Sequence, residues 1–138
     1  MTKIRSTNIT DGAITADGLA DDAVTAAKIA TGAVDAGTDW QSAQTASFTA
    51  VAGKGYPINT TSGAVTVTLP ASPSVGDFIE VVDYAGTFQT NALTITASGS
   101  DKIEGETLNF MIKSQRAGAT VTYVDATQGW VATSRVTA

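Results

Sequence analysis

The side chains in this sequence that could move protons or hold metal ions are carboxylates. It contains neither histidine nor cysteine, which removes imidazole bases, thiolate nucleophiles and the usual zinc ligands. Carboxylates alone suit glycoside hydrolysis, where two carboxyl groups stand roughly 5–9.5 Å apart across a sugar. The candidates are Asp77, Glu80, Asp83, Glu104 and Glu106. Strand alternation keeps Glu80 and the two aspartates off a common face, whereas Glu104 and Glu106 share one. A domain this small has no room for the long groove of a depolymerising enzyme. These acids are therefore expected to be solvated turn and edge charges, and the protein is expected not to be an enzyme. Trp130 could stack on a sugar ring, but a Gly-Trp opening a strand is expected to anchor a core or an interface.

Other short patterns carry less. Asp21-Asp22, and Asp101 with Glu104 and Glu106, lack the oxygen-ligand spacing of a calcium loop. No metal and no cofactor are expected. Gly53-Lys54-Gly55 lacks the rest of a phosphate loop and reads as a turn. Asn8-Ile9-Thr10 and Asn59-Thr60-Thr61 match a glycosylation pattern that has no meaning in a bacterial host. The net charge is −5 and the eight Lys and Arg are scattered, so nucleic-acid binding is not expected. Neither a secretory signal nor a membrane-spanning apolar run is visible. The expectation is a soluble protein without membrane insertion.

Stepping along the chain, large aliphatics fall at Ile4, Ile9, Ile14, Leu19, Val24, Ile29 and Val34, every fifth residue. Within this stretch Asp11-Gly12-Ala13-Ile14-Thr15-Ala16 returns as Asp21-Asp22-Ala23-Val24-Thr25-Ala26 and as Thr31-Gly32-Ala33-Val34-Asp35-Ala36. A step of five suits neither a continuous helix nor a flat strand, so the backbone must turn within each unit. Burying seven aliphatics yields roughly 10–20 kcal/mol at ~1.5–3 kcal/mol each. Ordering about 36 backbones costs ~1–2 kcal/mol apiece. A lone copy cannot meet that cost, and several copies wound together would pool their stripes. These seven residues are the candidate core of a trimeric stalk.

From about Thr45 the texture changes to short alternating segments bounded by Gly, Pro, Asn and Ser, the pattern of a β-sandwich. Candidate strands are 46–52, 56–59, 64–69, 77–84, 92–97, 101–112 with a break at Gly105, 120–124 and 130–136. Val65, Val67 and Leu69 mark a core face, as do Leu93 and Ile95, with Leu108, Phe110 and Ile112 expected to join them. In 77–84 both faces carry bulk: Phe78, Val82 and Tyr84 against Ile79 and Val81. One of those faces would then be covered by a neighbouring subunit.

The unit Asp21 to Ala30 resembles the stalk repeats of bacteriophage tail-fibre proteins. Tyr56 to Pro70, then Gly76-Asp77, Asp83, Thr90-Asn91, Leu93-Thr94-Ile95, Lys102-Ile103-Glu104-Gly105, Tyr123 and Gly129-Trp130, are similar to the C-terminal β-domain of such fibres. The resemblance implies a homotrimer on the virion surface, assembled in the bacterial cytoplasm. Its partners would be other virion proteins of tail, neck or capsid, and a host surface polysaccharide or protein. The expected architecture is all-β: a repetitive stalk or docking segment over residues 1–40, then an antiparallel, jelly-roll-like sandwich knob over 41–138. Because the repeat begins at once, with no anchoring domain ahead of it, a head fibre or a capsid decoration protein stays open beside a tail fibre. Receptor contacts, if any, would fall in loops 51–56, 85–91 and 98–102.

Overall fold

The computed structural model describes residues 37–136, and the aliphatic positions Ile4 to Val34 lie outside them. The described residues are all-β, with nine strands and no helix. In chain order these are β1 (Asp39–Trp40), β2 (Phe48–Thr49), β3 (Lys54–Ile58), β4 (Val65–Thr68) and β5 (Phe78–Asp83), followed by β6 (Leu93–Thr96), β7 (Phe110–Ile112), β8 (Gly118–Asp125) and β9 (Gly129–Val136). They form a five-stranded sheet ordered β1-β3-β5-β8-β9 and a four-stranded sheet ordered β2-β4-β6-β7.

The pairing corrects the expectation of an antiparallel, jelly-roll-like sandwich. Up to β6 the chain alternates between sheets, strand by strand, so each new strand lands beside the one laid two earlier. The ladders β1·β3, β2·β4, β3·β5 and β4·β6 are therefore parallel. Parallel neighbours need a long crossover, and here the crossover is the strand laid in the opposite sheet. The turns lengthen as they proceed, Asp39 pairing with Lys54 and Lys54 with Ile79. Only then does the chain double back, with β6·β7, β5·β8 and β8·β9 antiparallel. The result is a short two-sheeted coil closed on one side by reversed strands.

Alternation in the sequence explains which faces meet. Val65, Val67 and Leu69 of β4 and its exit, and Leu93 and Ile95 of β6, are buried against Ile58, Ile79, Val81 and Val121 of the other sheet. Each such side chain contributes ~1.5–3 kcal/mol on leaving water. In β5 the inner face holds Ile79, Val81 and Asp83, while Phe78, Glu80 and Val82 are half-buried on the outer face. Tyr84 lies past the strand end and is exposed.

Three further expectations need correction. Strands begin at Asp39, before Thr45, because Asp39 and Trp40 lie in register with Lys54 and Gly55. The Trp40 ring sits over Gly55, where an added Cβ would meet it at 2.7 Å. The segment 101–112 is a strand only at its end, since Glu104 and Gly105 both adopt positive φ, 54° and 81°. That turn spoils the alternation, and Leu108 is consequently 72% exposed instead of joining the core, while Phe110 is partly buried and Ile112 buried.

Trp130 anchors the core as expected. It is fully buried, its ring edge-on to Tyr123 at 5.7 Å between centroids. The turn at 102–105 clips onto it: Trp130 N–H donates to Lys102 C=O at 2.9 Å and Glu104 N–H to Trp130 C=O at 2.8 Å. Gly129 allows that approach, because a Cβ there would fall 2.0 Å from the Lys102 oxygen.

Candidate interaction surfaces

The register fixes two ends of the sandwich. Strands β1, β3 and β5 start at one end and β2, β4 and β6 finish there, so the connections 50–53, 69–77 and 97–102 gather at that end. The connections 59–64, 84–92 and 113–117 gather at the other, where Tyr84 N–H donates to Ile58 C=O and Asp83 N–H to Ala117 C=O, both at 2.9 Å. Of the three loops singled out from the sequence, 51–56 is a loop only as far as residue 53, since Lys54 to Tyr56 belong to β3; its remainder shares one end with 98–102, and 85–91 occupies the opposite one. No single face unites them.

Of the carboxylates, Glu104 and Glu106 border one depression and the others lie apart from them. Asp83 is 2% exposed and its two oxygens accept four backbone N–H groups: Gly86 at 2.9 Å and Thr87 at 3.0 Å on Oδ1, Phe88 at 3.2 Å and Arg116 at 3.0 Å on Oδ2. This inward acid ties the β5–β6 connection to the β7–β8 turn, so the expectation of a solvated charge does not hold for it. Arg116 completes the tie, its guanidinium lying across Gly86 and donating to Tyr84 C=O at 2.8 Å. Nearby, the buried Thr60 hydroxyl meets that of Thr87 at 2.8 Å, and Asn91 Nδ2 donates to Thr60 C=O at 2.8 Å.

The other acids serve local geometry. Asp77 Oδ2 accepts Ser74 N–H at 2.8 Å, closing the turn before β5. Glu80, on the outer face, accepts the Thr38 hydroxyl at 2.9 Å. Glu104 pairs with Arg135, and Glu106 receives the Ile103 N–H on its backbone oxygen at 2.8 Å. Glu104 and Glu106 flank a turn and so do not share a strand face. The sequence did not distinguish Asp83 from the others. The available signal was its place at a strand end before Tyr-Ala-Gly-Thr, where an aspartate readily accepts N–H groups from its own turn.

Among the described residues no cluster of His, Cys, Asp or Glu converges on a metal-sized site. Of the Gly-Lys-Gly pattern only Gly53 lies in a turn, its N–H donating to Phe78 C=O at 2.8 Å, whereas Lys54, paired with Asp39, and Gly55 belong to β3, which corrects the expectation of a turn over all three. Asn59 Oδ1 accepts the Thr61 N–H and hydroxyl at 3.0 and 2.6 Å, a turn role for that pattern.

One shallow depression, of about 230 Å³, has Glu104 and Glu106 on its lining beside Ile103, Leu108 and Phe110. Two others lie on or beside the five-stranded sheet. One, of about 240 Å³, lies on the outer face of the five-stranded sheet between Trp40, Glu80, Val82, Arg116, Gly118 and Ser134. The other, of about 160 Å³, follows the side of the sandwich where the four-stranded sheet stops at β7 while the five-stranded sheet runs on to β9. Phe110, Met111 and Lys113 line one wall, Ala119, Arg135 and Val136 the other. The Arg135 guanidinium spans this seam, 4.8 Å from the centre of the Phe110 ring.

Residues 5–137 match the family of Bacteriophage T4 gp9/10-like proteins, N-terminal. The chain belongs to this family. It is also similar to the baseplate wedge protein gp10 of Enterobacteria phage T4, at 40% identity over 43% of this chain and 10% of that protein. The chain thus spans about a tenth of that relative's length. Membership makes this gp9/10-like chain a structural component of a bacteriophage particle.

Proposed function

We propose that the chain is a non-catalytic assembly unit of the phage tail end. Three copies join through the N-terminal aliphatic repeat and present their β-domains, as a short surface fibre, to neighbouring virion proteins. The observation that carries this reading is the family match over residues 5–137, which runs through both the repeat and the β-domain. The name of the gp10 relative favours the tail over the head. The trimer rests on the repeat itself, because Ile4, Ile9, Ile14, Leu19, Val24, Ile29 and Val34 cannot offset the ordering of their own backbone without other copies.

A non-catalytic role accords with Asp77 closing a turn, Glu104 in an ion pair and Asp83 in its backbone clamp. Contact with host polysaccharide or protein would fall to the end carrying connections 50–53 and 97–102, and weak contacts there would gain strength from repetition over the particle. Imaging of particles tests the reading. Density for this chain on the tail is the expected result, and copies at capsid symmetry axes would reject it. Sedimentation at micromolar concentration should give three times the chain mass, and a folded monomer would remove the trimer. Purified protein should release no reducing ends from host polysaccharide.

A further inference from the structure

We propose that the depression on the outer face of the five-stranded sheet binds one ring of a neutral hexose polymer on the host surface. The inference deepens the host contact of the reading above and rests on it.

The floor of the depression is backbone. Strand registers set Pro57, Val82, Gly118 and Val136 side by side across β3, β5, β8 and β9. Gly118 has no side chain to raise above the sheet, so a pit of about 240 Å³ opens there. Close backbone approach keeps side chains out of that position, since a Cβ on Gly118 would fall 2.8 Å from the Val81 oxygen. Val82, half-buried, and Val136, 60% exposed, form apolar walls.

Beside the pit runs a row of mixed chemistry. Trp40, Gly55, Glu80, Thr120 and Ser134 are in register across all five strands, at a pitch of about 4.8 Å. Oε2 of Glu80 accepts the Thr38 hydroxyl, which leaves Oε1 to accept a further donor. The Thr120 and Ser134 hydroxyls on the lining can each donate and accept. The Trp40 ring packs on Gly55, yet the residue is 48% exposed. An indole supported by glycine and open to solvent is a platform for the C–H face of a pyranose.

These groups match a polyol. Its C–H faces suit the valines and Trp40, and its hydroxyls donate to Glu80 and exchange bonds with Thr120 and Ser134. Charge narrows the class further. Glu80 is the carboxylate on the lining, and the one cation there, Arg116, already donates to Tyr84 C=O. An acidic sugar would meet Glu80 without a free cation to offset it. Position agrees with the host contact proposed above, because β5 starts at the end carrying connections 50–53 and reaches Glu80 two residues on.

The chain has two tryptophans, Trp40 on the platform and Trp130 fully buried, so their indole N–H signals separate binding from a change of fold. Nitrogen-15-labelled chain is titrated with hexasaccharides of glucose, of galactose and of mannose, and with a hexamer of galacturonic acid. At least one neutral sugar should shift the Trp40 signal saturably at millimolar concentration while Trp130 stays in place, and the acidic hexamer should shift neither. Affinity read by saturation transfer to the sugar should fall roughly tenfold in Trp40→Ala and about fivefold in Thr120→Val, with the Trp130 signal unchanged in both. In particles, Trp40 should react with hydroxyl radicals as readily as in the free chain. No shift with any neutral sugar, an equal shift with the acidic one, full affinity in both variants, or Trp40 shielded in particles by another protein would overturn the inference and leave the particle role intact. Absence of the chain from particles would overturn that role and the host assignment with it.

Discussion

From β1 to β6 every strand crosses to the other sheet and every ladder is parallel. From β6 to β9 the chain turns back within a sheet twice, and every new ladder is antiparallel. In the first half ladder partners lie 15 to 28 residues apart in sequence, and the strands depend on the apolar surface the two sheets bury between them. The second half holds the longest-range ladder, β5·β8, and depends on tight turns whose backbone geometry must be right. One half behaves as a core and the other as a clasp.

The sharpest way to break this comparison is at the clasp. Gly129 has φ of 72° and no space for a Cβ, which would overlap the Lys102 carbonyl. Gly129→Ala should cost more than about 4 kcal/mol, through left-handed strain and the displaced 102–105 turn. Urea unfolding measures it, and a loss under about 1 kcal/mol would mean that the turn is not clipped to β9. In the core half, Ile95 is fully buried. Ile95→Ala should cost roughly 2–5 kcal/mol by the same measurement, from lost burial and the cavity left behind. The variant should retain the register of β8 and β9, visible as unchanged slow amide exchange there.

Asp83 joins the halves, since it holds the β5–β6 connection and the β7–β8 turn at once. Asp83→Asn replaces one acceptor oxygen with an amide that faces backbone N–H donors. A loss of roughly 2–3 kcal/mol follows, with exchange at Gly86, Thr87, Phe88 and Arg116 rising together. Independent rises at the two segments would show that the carboxylate does not couple them.

The same division decides what the amino acids reveal unaided. Alternation named the buried faces of β4 and β6, because Val65, Val67, Leu69, Leu93 and Ile95 need only know inside from outside. The order of pairing was not legible, since Val65 meets Leu93 across an intervening strand of the other sheet. Nothing local to either strand encodes that meeting. Leu108 misled for the opposite reason: Leu-Asn-Phe-Met-Ile alternates well, yet the positive-φ turn just before it sets the chain outside the sheet until Phe110. Of the surface, the acids were visible and their partners were not. The seam arises from the unequal number of strands in the two sheets, a property of topology that no short motif carries.

The smallest effect expected belongs to the pair closing the end of the seam, Arg135 with Glu104. Both side chains are nearly half exposed, so the pair is screened by salt and offset by the entropy of holding two long side chains. Arg135 also covers Phe110, a contact that survives loss of the acid. Glu104→Gln should therefore change stability by less than about 1 kcal/mol, and the change should vanish at high ionic strength. Arg135→Ala removes the ring contact as well and should cost more than Glu104→Gln, a difference that salt does not erase. If the two variants were equal at every salt concentration, the guanidinium would be acting through its charge alone. The seam would then be an open groove without a cover.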